Sequence, residues 1–121
     1  MVDERGGADP RSRLLALFDV VDEIVRSGEF RGCFFVKVAM EFPLAHDPAH
    51  VAAAGNKRAM QAIVEQLSRE AGADDPAELA RELMLLMEGA YVTRVVVGDE
   101  NAAQVARRAA ETIIERRIVR G

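Results

Sequence analysis

Tryptophan is missing from this 121-residue chain, and cysteine and tyrosine occur once each. A lone cysteine excludes an internal disulfide framework and a cysteine-based zinc cluster. Four prolines and 9 glycines are too few for a collagen-like or low-complexity chain. No apolar run reaches the roughly 18 residues that a membrane span needs. The first ten residues are polar and do not form a signal peptide, so the expected compartment is cytoplasmic. A glycine-rich phosphate loop and a nucleophile elbow are both missing. No catalytic residue, metal or cofactor is therefore expected. The net charge of −4 and a pI of about 5.2 argue against a dedicated binder of nucleic acid or anionic membrane.

What is present is a folding composition, with 50% hydrophobic and 30% charged residues. The length suits one domain with a compact core. One device recurs along the chain: Asp9-Pro10, Asp47-Pro48 and Asp75-Pro76 each precede a helical pattern. Aspartate accepts hydrogen bonds from the orphan N–H groups of a first turn, and proline at the first helical position has no N–H to lose. Glu78 follows Asp75 at capping-box spacing.

The first predicted helix runs from Pro10 to about Ser27, with Leu14, Leu17, Phe18, Val21, Ile24 and Val25 as its apolar side. A short second helix spans Cys33 to Phe42 and stops before Pro43. The third starts after Asp47 and ends at Gly72, with a stripe of Met60, Ile63, Val64, Leu67 and Ala71. The fourth runs from Pro76 to Val97, with Gly98 as its stop. The fifth starts between Asp99 and Asn101 and ends near Arg120. No strand is predicted. The expected fold is all-α, a bundle of about five helices.

The fourth predicted helix is apolar on nearly every side, and such a helix must be buried on nearly every side. Leu83, Leu86 and Ala90 define one face; Met84, Tyr91 and Val95 another; Leu85, Val92 and Val96 a third. The fifth is rich in small residues, which let helices approach closely. A homodimer is expected, its last two helices forming a four-helix bundle between protomers. Leu85, Val92, Val96, Ala102, Ala106, Ala109, Ala110 and Ile113 are its expected interface.

All five phenylalanines lie in the first third of the chain, and methionines occupy helices able to face them. Together they can line an apolar pocket that adapts to its ligand. The expected lining is Phe18, Phe34, Phe35, Val38, Met60, Ile63, Met84, Met87 and Tyr91, with Glu88 as a polar group among them. The same residues also suit a plain filled core, and both readings stand.

Other residues are less telling. His46 and His50 are four apart, but Asp47-Pro48 starts a helix between them, which suits a solvated pair better than a metal site. Cys33 lies beside Arg31 without a second cysteine or a histidine relay. Lys37 and Glu41 have ordinary helical ion-pair spacing. Arg107, Arg108, Arg116, Arg117 and Arg120 alternate with Glu111 and Glu115, as on a solvated helix face.

The stretch Phe30-Arg31-Gly32-Cys33-Phe34-Phe35 leading to Glu41-Phe42-Pro43 resembles one subgroup of the TetR/AcrR repressors, specifically their C-terminal ligand-binding and dimerisation domain. The long helix that follows, the Asp75-Pro76 start and the Leu-Met-rich helix ending at Gly98 continue the likeness, from Pro10 to Ile118. The resemblance implies an all-helical effector domain of a transcriptional repressor. In it a small apolar effector enters a pocket made by the earlier helices, and the later ones form the dimer. Effector binding would shift the relative orientation of two DNA-reading heads. The family's helix-turn-helix of about fifty residues has no counterpart before Asp9. Residues 1–9 are thus expected to be a disordered tail or boundary remnant, and residues 10–121 the effector-binding and dimerisation domain. The chain is expected to be a fragment of a longer regulator or a free-standing effector domain, and to reach DNA only through such a missing part. The alternatives are a stand-alone helical dimerisation module with a filled core and a Cys33-dependent redox enzyme.

Overall fold

The computed structural model describes residues 9–26, 46 and 48–118. Four α-helices carry them: α1 (Pro10–Arg26), α2 (Pro48–Glu70), α3 (Pro76–Val97) and α4 (Ala102–Arg117). Among the described residues there is no strand, and one isolated antiparallel bridge joins Ala73 to Ile118. The fold is all-α, as the periodicity predicts. The predicted helix from Cys33 to Phe42, including Phe34, Phe35 and Val38, lies outside the described residues, as do Phe30, Lys37, Glu41 and the cap residue Asp47.

The helix ends follow local chemistry. The Asp9 carboxylate accepts from the Ser12 hydroxyl at 2.9 Å and from the Arg11 N–H at 3.3 Å, which opens α1. Asp75 accepts from the Glu78 N–H at 3.2 Å, with Pro76 at the first helical position of α3. Only half of the expected capping box forms, because the Glu78 carboxylate pairs with Arg81 instead, at 3.3 Å. Gly98 ends α3 at φ 77°, and its N–H bonds the Arg94 carbonyl at 3.0 Å. That left-handed conformation favours glycine, whose missing Cβ removes the clash. Asn101 stands at the start of α4 without a side-chain cap, and its amide oxygen accepts from Arg26 on α1 instead.

The packing has two layers. α3 lies between α2 and α4, which do not touch each other, and α1 packs on all three. Leu14, Leu17, Phe18, Val21 and Val25 of α1 meet Val64 of α2, Leu79, Ala80, Leu83, Met87 and Ala90 of α3, and Ala103, Ala106, Ala110 and Ile114 of α4. Burying a side chain the size of Leu or Phe contributes about 1.5–3 kcal/mol. This interior therefore outweighs the surface ion pairs around it, each worth about 0–1 kcal/mol.

The stripe predicted for α2 is rotated from the observed one. Val64 is fully buried, and Leu67 and Ala71 pack partly against the core. Met60 and Ile63 stand 40% and 54% exposed. Ala53 and Ser68 complete the buried line, with the Ser68 hydroxyl bonded to the Val64 carbonyl at 2.8 Å. Ile24 of α1 is also exposed rather than inward.

Phe18→Ala should cost about 3–5 kcal/mol in urea unfolding, and Asp75→Ala about 1 kcal/mol. The Ser12 hydroxyl, followed by the Arg11 and Ser12 N–H groups, holds the Asp9 carboxyl below its ordinary value despite opposing desolvation. Its stabilising effect is full above the ordinary carboxylate value and fades as pH falls through the lowered one. In Ser12→Ala, an NMR titration should find the Asp9 carboxyl closer to its ordinary value, and the acid-dependent part of stability should shrink.

Candidate functional site

An open groove of about 390 Å³ runs between α2 and α3, lined by Lys57, Gln61, Arg81, Met84, Leu85 and Glu88. Lys57 and Gln61 lie one turn apart on α2, and Arg81, Met84, Leu85 and Glu88 cover two turns of α3. The Lys57 ammonium donates to the Glu88 carboxylate, so the two helices are tied across the groove. Both side chains are about three-quarters covered, which strengthens their attraction above that of a fully solvated pair. Arg81 lies far more exposed, with its i,i+3 partner Glu78.

Beside the groove, α3 presents apolar surface to solvent. Leu85 is 71% and Val96 75% exposed, and Val92, Val95 and Val97 join them. Leu85, Gly89, Val92 and Val96 repeat at intervals of four, three and four residues, the spacing of a helix-packing seam. A shallow depression of about 220 Å³ between α3 and α4 continues this face, bounded by Leu85, Leu86, Gly89, Ala102, Val105 and Ala106 among others.

Residues expected to line a ligand site fall in different places. Met84 and Glu88 line the groove. Phe18 and Met87 do not: Phe18 of α1 and Met87 of α3 are buried in the core that the four helices share. Tyr91 packs partly against the same core. Met60 and Ile63 are exposed on α2, and Phe34, Phe35 and Val38 lie outside the described residues.

Of the expected interface residues, Leu85, Val92, Val96 and Ala109 are exposed, and Ile113 packs partly on the core. Ala102 and Ala106 are buried but form part of the depression between α3 and α4. Ala110 is fully buried inside the chain. Lys57, Gln61 and Arg81 were not foreseen as site residues. Their only signal is pairwise, since the groove joins two helices far apart in sequence.

Among known proteins, residues 10–110 match the family described as "Tetracyclin repressor-like, C-terminal domain". The chain belongs to this family. Its sequence is 29% identical over 114 residues to the HTH-type transcriptional regulator YjdC of Escherichia coli strain K12, covering 94% of this chain and 59% of YjdC. The Shigella flexneri YjdC matches equally. The chain thus spans about 59% of the length of these curated relatives. Its fold is that of SCO4454, a TetR-family transcriptional regulator from Streptomyces coelicolor, with a TM-score of 0.85 at 22% identity, covering 95% of this chain and 58% of that one. The TetR-type regulator SAV143 of Streptomyces avermitilis is also similar, with a TM-score of 0.74 at 28% identity over 87% of this chain and 61% of its own. Among the described residues no helix is long and apolar enough to cross a membrane, and no group of three potential metal ligands occurs.

The tie across the groove has a measurable strength. A double-mutant cycle of Lys57→Met and Glu88→Gln should give a coupling of about 1 kcal/mol that falls in molar salt.

Proposed function

We propose that this chain is the effector-sensing and dimerisation part of a TetR-like transcriptional repressor. Dimerisation rests on one observation above all: α3 keeps Leu85, Val92 and Val96 exposed on the side that α1, α2 and α4 leave uncovered. A second copy of α3 and α4 packed there forms a four-helix bundle between protomers, and Gly89 lets the helices approach closely. The match to the family over residues 10–110 supports the same reading.

The groove between α2 and α3 is the effector site in this reading, with Met84 and Leu85 as its apolar lining. An effector acts by binding one arrangement of the helices better than another. α1 packs on α2, α3 and α4 together, so it follows any shift between them. In this reading DNA contact belongs to a helix-turn-helix part of the longer regulator, and the effector domain carries no catalysis. The names of the relatives are those of regulators, which fits this role.

A filled interior favours a second reading, a dimerisation module without a ligand, because Phe18 and Met87 occupy space expected for a pocket. Native mass spectrometry of the purified chain separates the two. A dimer carrying extra small-molecule mass supports the effector domain, and a bare dimer that takes up no added probe supports the module. A wild-type monomer would remove the dimer from both. Val96→Glu should convert the dimer to monomer in sedimentation while leaving the helical content unchanged.

A further inference from the structure

The chemistry of the α2–α3 groove is specific enough to name a class of ligand. Among the described residues, two cations, Lys57 and Arg81, face it with one carboxylate, Glu88, in a chain whose net charge is −4. Its apolar lining is concentrated on Met84 and Leu85, next to the charges. Lys57 already holds a carboxylate, that of Glu88 from the opposite helix. Arg81 holds Glu78 only through an exposed contact of 3.3 Å, the weakest kind of ion pair.

We propose that this groove takes a small amphipathic carboxylate, with its head on Lys57 in place of Glu88 and its tail over Met84 and Leu85, while Arg81 stands two turns along α3 at the other end of the groove. The inference rests on the effector-groove reading and deepens it. Exchange of one carboxylate for another at Lys57 is nearly balanced in energy, so a head group alone gains little. Arg81, at the other end of the groove, adds positive charge that favours an anion over a neutral ligand. The tail supplies the rest by covering apolar surface.

Other ligand classes fit less well. A neutral apolar molecule must cover the Lys57–Glu88 pair and strip its water without giving it a new partner. An apolar cation meets two positive groups. An incoming carboxylate instead repels Glu88 toward solvent, which releases the tie between α2 and α3. The same exchange that selects the ligand therefore loosens the helix pair beside the exposed face of α3.

Calorimetry on the whole chain tests this with decanoate, decanol, decylammonium and acetate, each below its micelle concentration. Decanoate should bind at least about tenfold more tightly than decanol, the difference expected for charge-assisted hydrogen bonds. Decylammonium should be weaker still, and acetate should give no measurable heat. Lys57→Met should abolish the preference for decanoate over decanol, and Lys57→Arg should keep it. Glu88→Gln, which removes the internal competitor, should tighten decanoate several-fold and leave decanol unchanged. Equal binding of decanoate and decanol overturns the carboxylate assignment but leaves an apolar effector groove standing. Binding by neither overturns both. A decanoate preference that survives Lys57→Met, or weaker decanoate binding in Glu88→Gln, overturns the proposed head-group site.

Discussion

The structure depends on one mismatch: α3 is apolar around most of its circumference, but the described chain covers it on only three sides. α1 seals its inner face through Phe18, Val21 and Leu14, and α2 and α4 flank it without meeting. The fourth side carries Leu85, Val92 and Val96 into water. Leaving an apolar side chain exposed forgoes the transfer energy that burial would supply, about 25 cal/mol for each Å². A row of such side chains at seam spacing marks an interaction surface, whereas scattered ones are ordinary. The inner face of α3 holds the described helices together, and the outer face stays exposed.

Charge is arranged around this core and kept out of it. Arg11 pairs with Glu115 at 2.9 Å and Asp19 with Arg107 at 3.2 Å, so α1 is bordered by contacts to α4. Arg94 of α3 donates to the Val25 carbonyl at 3.0 Å, which satisfies an orphan acceptor at the end of α1. Arg26 next to it reaches Asn101. These contacts fix where α1 lies rather than supplying most of the stability. The Lys57–Glu88 pair differs because it borders open space, where a competing group can reach it.

Local features of the fold were legible in the sequence because they depend on neighbours in sequence. The Asp-Pro starts of α1 and α3 and the Gly98 stop need only a few adjacent residues, and the bounds of α3 follow from them. Long-range choices were not legible. The sequence marks Phe18 and Met87 as apolar residues on helical faces, but not that both join the core shared by the four helices. The same limit applies to Met60 and Ile63, where a stripe drawn on one helix cannot say which flank its neighbour covers. Glu88 stood out as a polar residue in an apolar run. Its partner Lys57, 31 residues earlier, carries no such mark, since only the packing of α2 against α3 brings them together.

Leu85 joins the two surfaces of α3. It borders the groove with Lys57 and Glu88 and also the depression between α3 and α4 that continues the exposed face. A molecule in the groove and a helix against the outer face would therefore compete for, or share, one side chain on a rigid element. Thermodynamic linkage makes any such coupling reciprocal: whatever occupation of the groove does to association at the outer face, association does to occupation by the same factor. Side chains on one helix a turn apart need no longer pathway than the helix itself. Because Leu85 borders both, α3 is the element on which such a coupling would act.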